Sequence, residues 1–435
     1  MDIKPGKQPS TWVAVISNHR LRVALIPVGG EAVRLRPLTV GTSKALVRIL
    51  NRPILEFVVL ELAVNGFEEV YLGVRGYHNY RSVYDYFREG YWIRVKYPFV
   101  GRDTRLRYMP RYETSGNAEA VKVMVEYYGI REPFAVVQCD NLFKLDMGRV
   151  FEFHRSRGAD MTIVLKEVED VTGFGVAVLE GERISRFVEK PRPEEAPSRL
   201  VNTGIYVLEP HVLEELFSSP TGQELLRTGR TDFGQHVIPK LIESGYRVYG
   251  YVMEDGYWFD VGTPERYLEA MRFLLNLRDP QLLEAAEKLP GVFLQGKSAK
   301  SVSLHMEIVE RARKGLVKFS GTVLVGRHTI VGNGTYIEDS SIDNYCVIGS
   351  RSYVSDSAIM DRSYVEEGAR VVNSIIGRHV YIERGARVIN SYVGDDAYVG
   401  AYSKLVNVKV WPHERVPAYA HLENYEVVTH RHLEV

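Results

Sequence analysis

From about residue 21 to 275, short apolar runs rich in valine, isoleucine and leucine alternate with stretches whose apolar residues recur at helical spacing. Short runs followed by amphipathic stretches read as strands joined by covering helices, so a Rossmann-like α/β domain with a mixed, mainly parallel sheet is predicted. The strands fall at 23–27, 70–74, 134–138, 161–166 and 204–208. Helices between them include about 54–65, 118–128 and 147–157. Ligands of such sheets gather outside the carboxyl ends of the strands, so the chemistry is sought just after these runs.

A second rhythm begins near residue 325. Val325, Val331, Ile337, Ile342, Ile348, Val354, Ile359, Val365, Val371, Ile376, Ile382, Val388, Val393, Val399, Leu405 and Val410 follow a repeated spacing of six, six and five, a period of 17 residues. Asp339-Ser340, Asp356-Ser357, Asn373-Ser374 and Asn390-Ser391 recur at the same period. Neither a helix nor a hairpin sheet keeps such a register. A triangular coil of three short strands per turn does, with the aliphatic residues inside and the Asx turns stacked in a column. A parallel β-helix of about five turns is therefore expected.

Five segments follow: an extension at 1–20 with a candidate edge strand at 12–16, the α/β domain at 21–275, a charged connector at 276–320 expected to be helical, the coil at 321–410, and a cap at 411–435 containing Trp411, Tyr419 and Tyr425. At 435 residues two domains are the natural expectation. Lysine plus arginine (55) equals aspartate plus glutamate (55), so no global field would draw the chain to nucleic acid or an acidic membrane. The N-terminal apolar runs are broken by Pro9, Asn18, His19 and Arg20, too short for a membrane span or signal. Two distant cysteines, Cys139 and Cys346, fit a reducing compartment, and a cytoplasmic protein is expected.

The first strand runs into Val28-Gly29-Gly30-Glu31-Ala32-Val33-Arg34-Leu35-Arg36-Pro37-Leu38-Thr39, with Lys44 following. Paired glycines let backbone N–H groups approach a phosphate, while arginine and lysine neutralise charge on a departing pyrophosphate. By itself the same pattern also serves as a tight turn with a solvated flank.

With its companions the pattern resembles the sugar-phosphate nucleotidylyltransferases, the NDP-sugar pyrophosphorylases. In family order come Val136-Val137-Gln138-Cys139-Asp140-Asn141, Phe187-Val188-Glu189-Lys190-Pro191, Asn202-Thr203-Gly204-Ile205-Tyr206 and Trp258-Phe259-Asp260-Val261-Gly262-Thr263-Pro264. The 17-residue coil resembles the left-handed β-helix of the long-form members. Ala32 and Val33 stand where the family has a small residue followed by threonine or serine, Ser43 replaces a proline, and Glu113 to Ala118 differ from the family's E-x-x-L-G-T-A.

The resemblance implies that Gly29 and Gly30 hold the nucleotide and that Arg34 and Lys44 grip its β and γ phosphates. It implies that Asp140 and Asp260 bind Mg2+, that Lys190 binds the sugar phosphate, and that Glu189 and Asn202 hydrogen-bond sugar hydroxyls. Backbone around Gly116 would do the same beside the base. Arg34, Lys44 and Lys190 would be the catalytic cations. The implied partners are a nucleoside triphosphate and a hexose 1-phosphate (mannose or glucose); the flat side faces of the coil invite symmetric packing, so a homo-oligomer, dimer or tetramer, is expected through it. Singly, each of these residues also has an ordinary structural role, a cap for Asp140 or a turn for Asp260. Two alternatives stay open: a non-catalytic regulatory relative, and a bifunctional enzyme using His328 or His379 on the coil for acetyl transfer.

Overall fold

The computed structural model describes residues 20–30, 32–109 and 114–429. The candidate edge strand at 12–16, Glu31, Glu113 and the last six residues lie outside them. Two compact units are present: one runs to Gly30 and resumes over Leu55–Asp260, and the other joins Glu31–Ile54 to Val261–Val435.

In the first unit the strands are β1 Val23–Val28, β2 Glu69–Val74, β3 Arg105–Tyr108, β4 Phe134–Val137, β5 Asn141–Lys144, β6 Met161–Glu167, β7 Gly175–Glu180, β8 Arg183–Glu189, β9 Leu200–Leu208, β10 Val248–Val252 and β11 Tyr257–Asp260. Nine form one sheet in the order β3-β2-β1-β4-β9-β6-β10-β8-β7, while β5 and β11 make a separate two-stranded ribbon. β1 runs parallel to both β2 and β4, and β6 runs parallel to β10. β9 is antiparallel to β4 and to β6, so the sheet is mixed. All six residues of β1 are buried, as expected of a central strand covered on both faces.

Helices Asn117–Tyr128 and Met147–Ser156 follow the apolar periodicity to within two residues of expectation. The first buries Val121 and Met124 in a core shared with Leu25, Phe134, Val136, Ile163 and Tyr206. Asp146 caps the second by accepting the Gly148 and Arg149 N–H groups.

The second unit is dominated by three stacks of short parallel strands, each strand pairing with the one 17 residues on. Ile348 pairs with Val365, Val371 with Val388, and Ile376 with Val393. All sixteen aliphatic positions of the 17-residue rhythm are buried. The register runs on through Val416, Leu422 and Val427. These stacks fit a parallel β-helix.

Asp339, Asp356, Asn373 and Asn390 all adopt left-handed backbone conformations, φ 38 to 52°. Each following serine is buried and accepts the N–H of the next: Ser357 N to Ser340 Oγ at 3.0 Å, Ser374 N to Ser357 Oγ at 3.1 Å, and Ser391 N to Ser374 Oγ at 3.0 Å. The Asx-Ser column is thus a ladder of hydroxyls satisfying corner amides that would otherwise be buried without partners. His328 stacks on Tyr345, and His379 pairs with Asp396 at 3.2 Å, so each is engaged at a corner of the coil.

One outer face is covered. Leu324, Ser341, Ala358, Ile375 and Tyr392 point outward from their strands yet are buried. Ile330 and Tyr364, on another face, stay 47% and 45% exposed. Contacts on the covered face come from residues 32–54 and the helix Pro264–Asn276: Asn51 Nδ2 donates to the Ile342 carbonyl at 3.0 Å and Tyr392 Oη to Glu265 at 3.0 Å, while Tyr267 Oη ties the helix to the Arg48 carbonyl at 2.6 Å. Residues 276–320, expected as a helical connector, hold the helix Ala299–Arg313 but also an antiparallel pair, Ala285–Leu289 with Val292–Gln295. The composition of L-E-A-A-E-K-L favours helix. Pairing with a strand that itself joins the stack at Val323–Val325 overrides that preference.

Candidate active site

β1 lies between β2 and β4, so the chain leaves it toward one edge of the sheet and later returns on its other side. That reversal opens a crevice at the carboxyl ends of β1 and β4. Gly29 and Gly30 follow β1 directly. A Cβ on Gly29 would stand 3.0 Å from Arg75 Cβ, whereas one on Gly30 would meet nothing within 4 Å. The first glycine serves packing against the residue after β2. The second leaves its backbone open to an incoming group. A small hollow, about 10 Å³, lies at the neighbouring ends of β2 and β3, lined by Gly73, Val74, Arg75, Met109, Thr114, Ala120 and Val123.

β4 ends in a turn, Gln138 to Asp140, closed by Asn141 N donating to the Gln138 carbonyl at 3.3 Å. β5 then pairs antiparallel with β11, and in that register Asn141 stands opposite Asp260. Directly opposed residues of such a ladder have Cα atoms about 4.5–5.5 Å apart. Asp140 and Asp260, remote in sequence, are therefore neighbours at one end of a ribbon. Both are partly exposed.

What fixes that end is an irregularity in β9. Its register against β6 shifts between Asn202 and Tyr206, with Gly204 at φ 75°. The Thr203 carbonyl accepts Asn141 Nδ2 at 2.5 Å and Trp258 Nε1 at 3.0 Å, while the Gly204 carbonyl accepts Gln138 N–H at 3.2 Å. One strand distortion thus holds the turn carrying Asp140 and the strand carrying Asp260. A side chain at 204 would come within 2.7 Å of Gln138 Cγ and 3.1 Å of Asn141 Nδ2, so only glycine fits there. The strand expected at 204–208 begins four residues earlier, at Leu200, which places Gly204 inside it. The glycine inside it is the signal that a bulge was present.

The same strand carries Asn202. Its Oδ1 accepts the Gly204 N–H at 2.9 Å, and its Nδ2 donates to Tyr206 Oη at 2.9 Å. Burial pushes the Tyr206 hydroxyl pKa up, so the phenol stays protonated. Glu189, at the end of β8, lies between two glycines: a Cβ on Gly175 or Gly234 would stand 2.6 or 2.5 Å from its Oε2. Lys190 Nζ pairs with Glu189 Oε1 at 3.0 Å, and its side chain is 57% exposed. Its backbone is left-handed at φ 46°, an unusual state for a non-glycine residue, and its N–H donates to the Phe174 carbonyl at 3.1 Å.

Gly116 caps the helix Asn117–Tyr128 in extended conformation, where a Cβ would lie 2.5 Å from the Thr231 backbone. Asn117 Oδ1 accepts the Phe233 N–H at 2.7 Å, tying this loop to the segment that carries Gly234 beside Glu189. The structure therefore brings Asp140 and Asp260 together on one side of β9. It also connects Gly116, Glu189 and Lys190 through the Thr231 to Gly234 segment.

Arg34 and Lys44 belong to the second unit. Arg34 is exposed on a short turn whose neighbour Leu35 is fully buried. Ala32 is left-handed at φ 46°, and its carbonyl accepts Thr39 Oγ1 at 2.9 Å, closing the loop on itself. Among the described residues no helix is long and apolar enough to cross a membrane, and no group of three or more His, Cys, Asp or Glu is gathered around a metal position.

A crevice opened by glycines at the carboxyl ends of the central strands of an α/β sheet is where such folds take nucleotides. Residues 23–276 match the family model described as nucleotidyl transferase, and residues 319–425 match the GMPPB C-terminal domain. The chain belongs to the sugar-1-phosphate nucleotidyltransferase family and is a nucleotidyltransferase. It is 31% identical over 74% of its length, and 83% of the relative's, to a UTP–glucose-1-phosphate uridylyltransferase of Synechocystis. It is 29% identical to a putative mannose-1-phosphate guanyltransferase of Sulfolobus acidocaldarius, covering 62% of this chain and 70% of that one. A mannose-1-phosphate guanylyltransferase catalytic subunit beta of Danio rerio is 32% identical, covering 62% and 69%.

Proposed function

We propose that the chain makes an NDP-sugar and pyrophosphate from a nucleoside triphosphate and a hexose 1-phosphate, with mannose or glucose 1-phosphate as the favoured sugar substrates. The observation that supports this reading is the pairing of Asn141 with Asp260, which brings the backbone of Asp140 next to that of Asp260 at the end of the β5–β11 ribbon. A donor set of two carboxylates, without a larger cage, suits Mg2+, which keeps waters and takes its other ligands from phosphates. A magnesium ion held there would supply charge neutralisation to the phosphates.

The chain's own residues do the positioning. Gly29 and Gly30 offer backbone N–H groups to the triphosphate, and Arg34 and Lys44 grip its β and γ phosphates. Lys190 binds the sugar phosphate, steered by its ion pair with Glu189. Glu189, Asn202 and the backbone at Gly116 orient sugar and base. A phosphate oxygen of the sugar 1-phosphate attacks the α-phosphorus in line, forming the new P–O bond as the bond to the β-phosphate oxygen breaks. Pyrophosphate carries away the electron pair, and no covalent enzyme intermediate forms. The coil is taken as left-handed, with its uncovered faces joining copies of the chain, and the protein as cytoplasmic.

A panel of triphosphates against hexose 1-phosphates, read by magnesium-dependent pyrophosphate release, tests the reading. One pair should turn over well above the others. Triphosphate binding without turnover on any pair would replace this reading with a regulatory one.

A further inference from the structure

The segment that carries Arg34 and Lys44 is pinned along the covered face of the strand stacks at four successive points. Arg36 lies over the Trp411 ring, 5.6 Å from its centre. Thr42 Oγ1 accepts Arg378 Nη2 at 3.2 Å. Arg48 forks onto the buried Asp343 carboxylate, through Nε to one oxygen and Nη2 to the other at 2.9 Å. Asn51, in the tight turn between Arg48–Ile49 and Arg52–Pro53, donates to Gln295 Oε1 at 2.9 Å and to the Ile342 carbonyl at 3.0 Å, and accepts Ser341 Oγ at 3.0 Å.

These anchors span the strands from Ser341–Ile342 to Lys409–Val410, four steps of the stack and so about 19 Å. Asp343 is the strongest of them. Besides the arginine fork it accepts Asn344 N–H and Nδ2, each at 2.7 Å, so its charge is fully compensated away from water. Arg48 also donates to the Asn51 carbonyl, which ties the ion pair to the tight turn. Lys44 lies four residues before Arg48, joined to it by a short helical turn, Lys44–Leu46.

We infer that Asp343 is a positioning residue for the triphosphate: through Arg48 it fixes the segment from which Lys44 and Arg34 reach the β and γ phosphates. The inference rests on the phosphate-gripping role proposed above for those two residues. It assigns to the C-terminal strands a part in nucleotide binding, separate from any part in assembly.

The test is steady-state kinetics of the full chain carrying Asp343→Asn, which keeps the side chain's shape and removes its charge. kcat/KM for the triphosphate should fall about tenfold or more, and KM for pyrophosphate in the reverse reaction should rise in parallel. KM for the sugar phosphate at saturating triphosphate should stay within twofold. A merely structural residue would lower the amount of active enzyme without dividing the substrates in this way.

Ser341→Ala, which removes one donor to Asn51, gives the same split in weaker form and serves if Asp343→Asn does not fold. Tyr364→Ala on the uncovered face leaves every KM unchanged. Equal loss for both substrates, or an unchanged triphosphate KM in both variants of an active wild type, overturns the inference alone. A wild type that releases no pyrophosphate on any substrate pair overturns the function and the inference together.

Discussion

Asn141 donates its side-chain N–H to the Thr203 carbonyl at 2.5 Å, so the residue beside Asp140 is held by a strand distortion far away in sequence. Trp258, two residues before Asp260, uses the same oxygen. The backbone on either side of Asp140 and Asp260 is thereby held by one carbonyl, and a fixed backbone is the preorganisation that electrostatic catalysis requires.

Asp140→Asn should leave the fold intact, because the turn is closed by backbone and by Asn141. Turnover should drop at least about 100-fold, the scale for losing one preorganised charge contact. Pyrophosphate release together with thermal unfolding checks this; a mutant with wild-type kcat in magnesium would remove Asp140 from the metal site.

Gly204→Ala should lower both stability and turnover. The backbone is left-handed, and the new methyl would press on Gln138 and Asn141, for a cost of about 1–3 kcal/mol. Gly245, at φ 83° with open space around it, is the control. Its alanine variant carries only the backbone strain and should keep full activity. Urea unfolding and initial rates of the two variants separate displacement of the site from strain alone.

Glu61 is fully buried, accepting the Leu145 N–H at 3.2 Å and Asn65 Nδ2 at 3.1 Å, and burial raises its pKa to about 7. A carboxyl group raised on folding gives its full stability below the unfolded value near 4.5 and loses it as pH rises toward 7, by about 3 kcal/mol. Glu61→Gln should therefore gain stability relative to wild type at pH 7.5 and little at pH 4.5. His154 acts oppositely: burial lowers its pKa to about 4, so its contribution fades as pH falls from 6.5. The variant should consequently show steeper acid destabilisation than wild type in denaturation series across pH 4.5–7.5.

Ile376 is enclosed within the stacks, and Ile330 faces outward. Ile376→Ala should cost about 2–5 kcal/mol and Ile330→Ala within about 0.5 kcal/mol. Comparable losses at the two positions would contradict the inside-outside assignment.

The interior of the coil was legible because its signal is arithmetic: each of the sixteen positions makes the same inward turn in every repeat, and all are buried. The β1, β2, β4 and β6 strands were legible as apolar runs bounded by polar turns. The hairpin at Ala285–Leu289 was not, since its composition favours helix and its partner strand decides otherwise. The candidate site was legible as a list of residue types in order. The bulge at Gly204 that brings two of them together depends on strand pairing, which one strand's sequence does not contain. Nor did anything before residue 54 announce that Arg48 would be met by Asp343.

That last pairing has a consequence for synthesis. Asp343 follows Arg48 by 295 residues. At about 5–20 residues per second, the ribosome needs roughly 15–60 s to supply the partner. Even after Val252 completes the strands of the first sheet, a nascent chain still lacks the clasp for its basic loop until Asp343 is made, and Trp411, beneath Arg36, emerges later still. If the loop grips the triphosphate as proposed, competence for nucleotide is acquired late in translation, long after the glycine pair has left the exit tunnel.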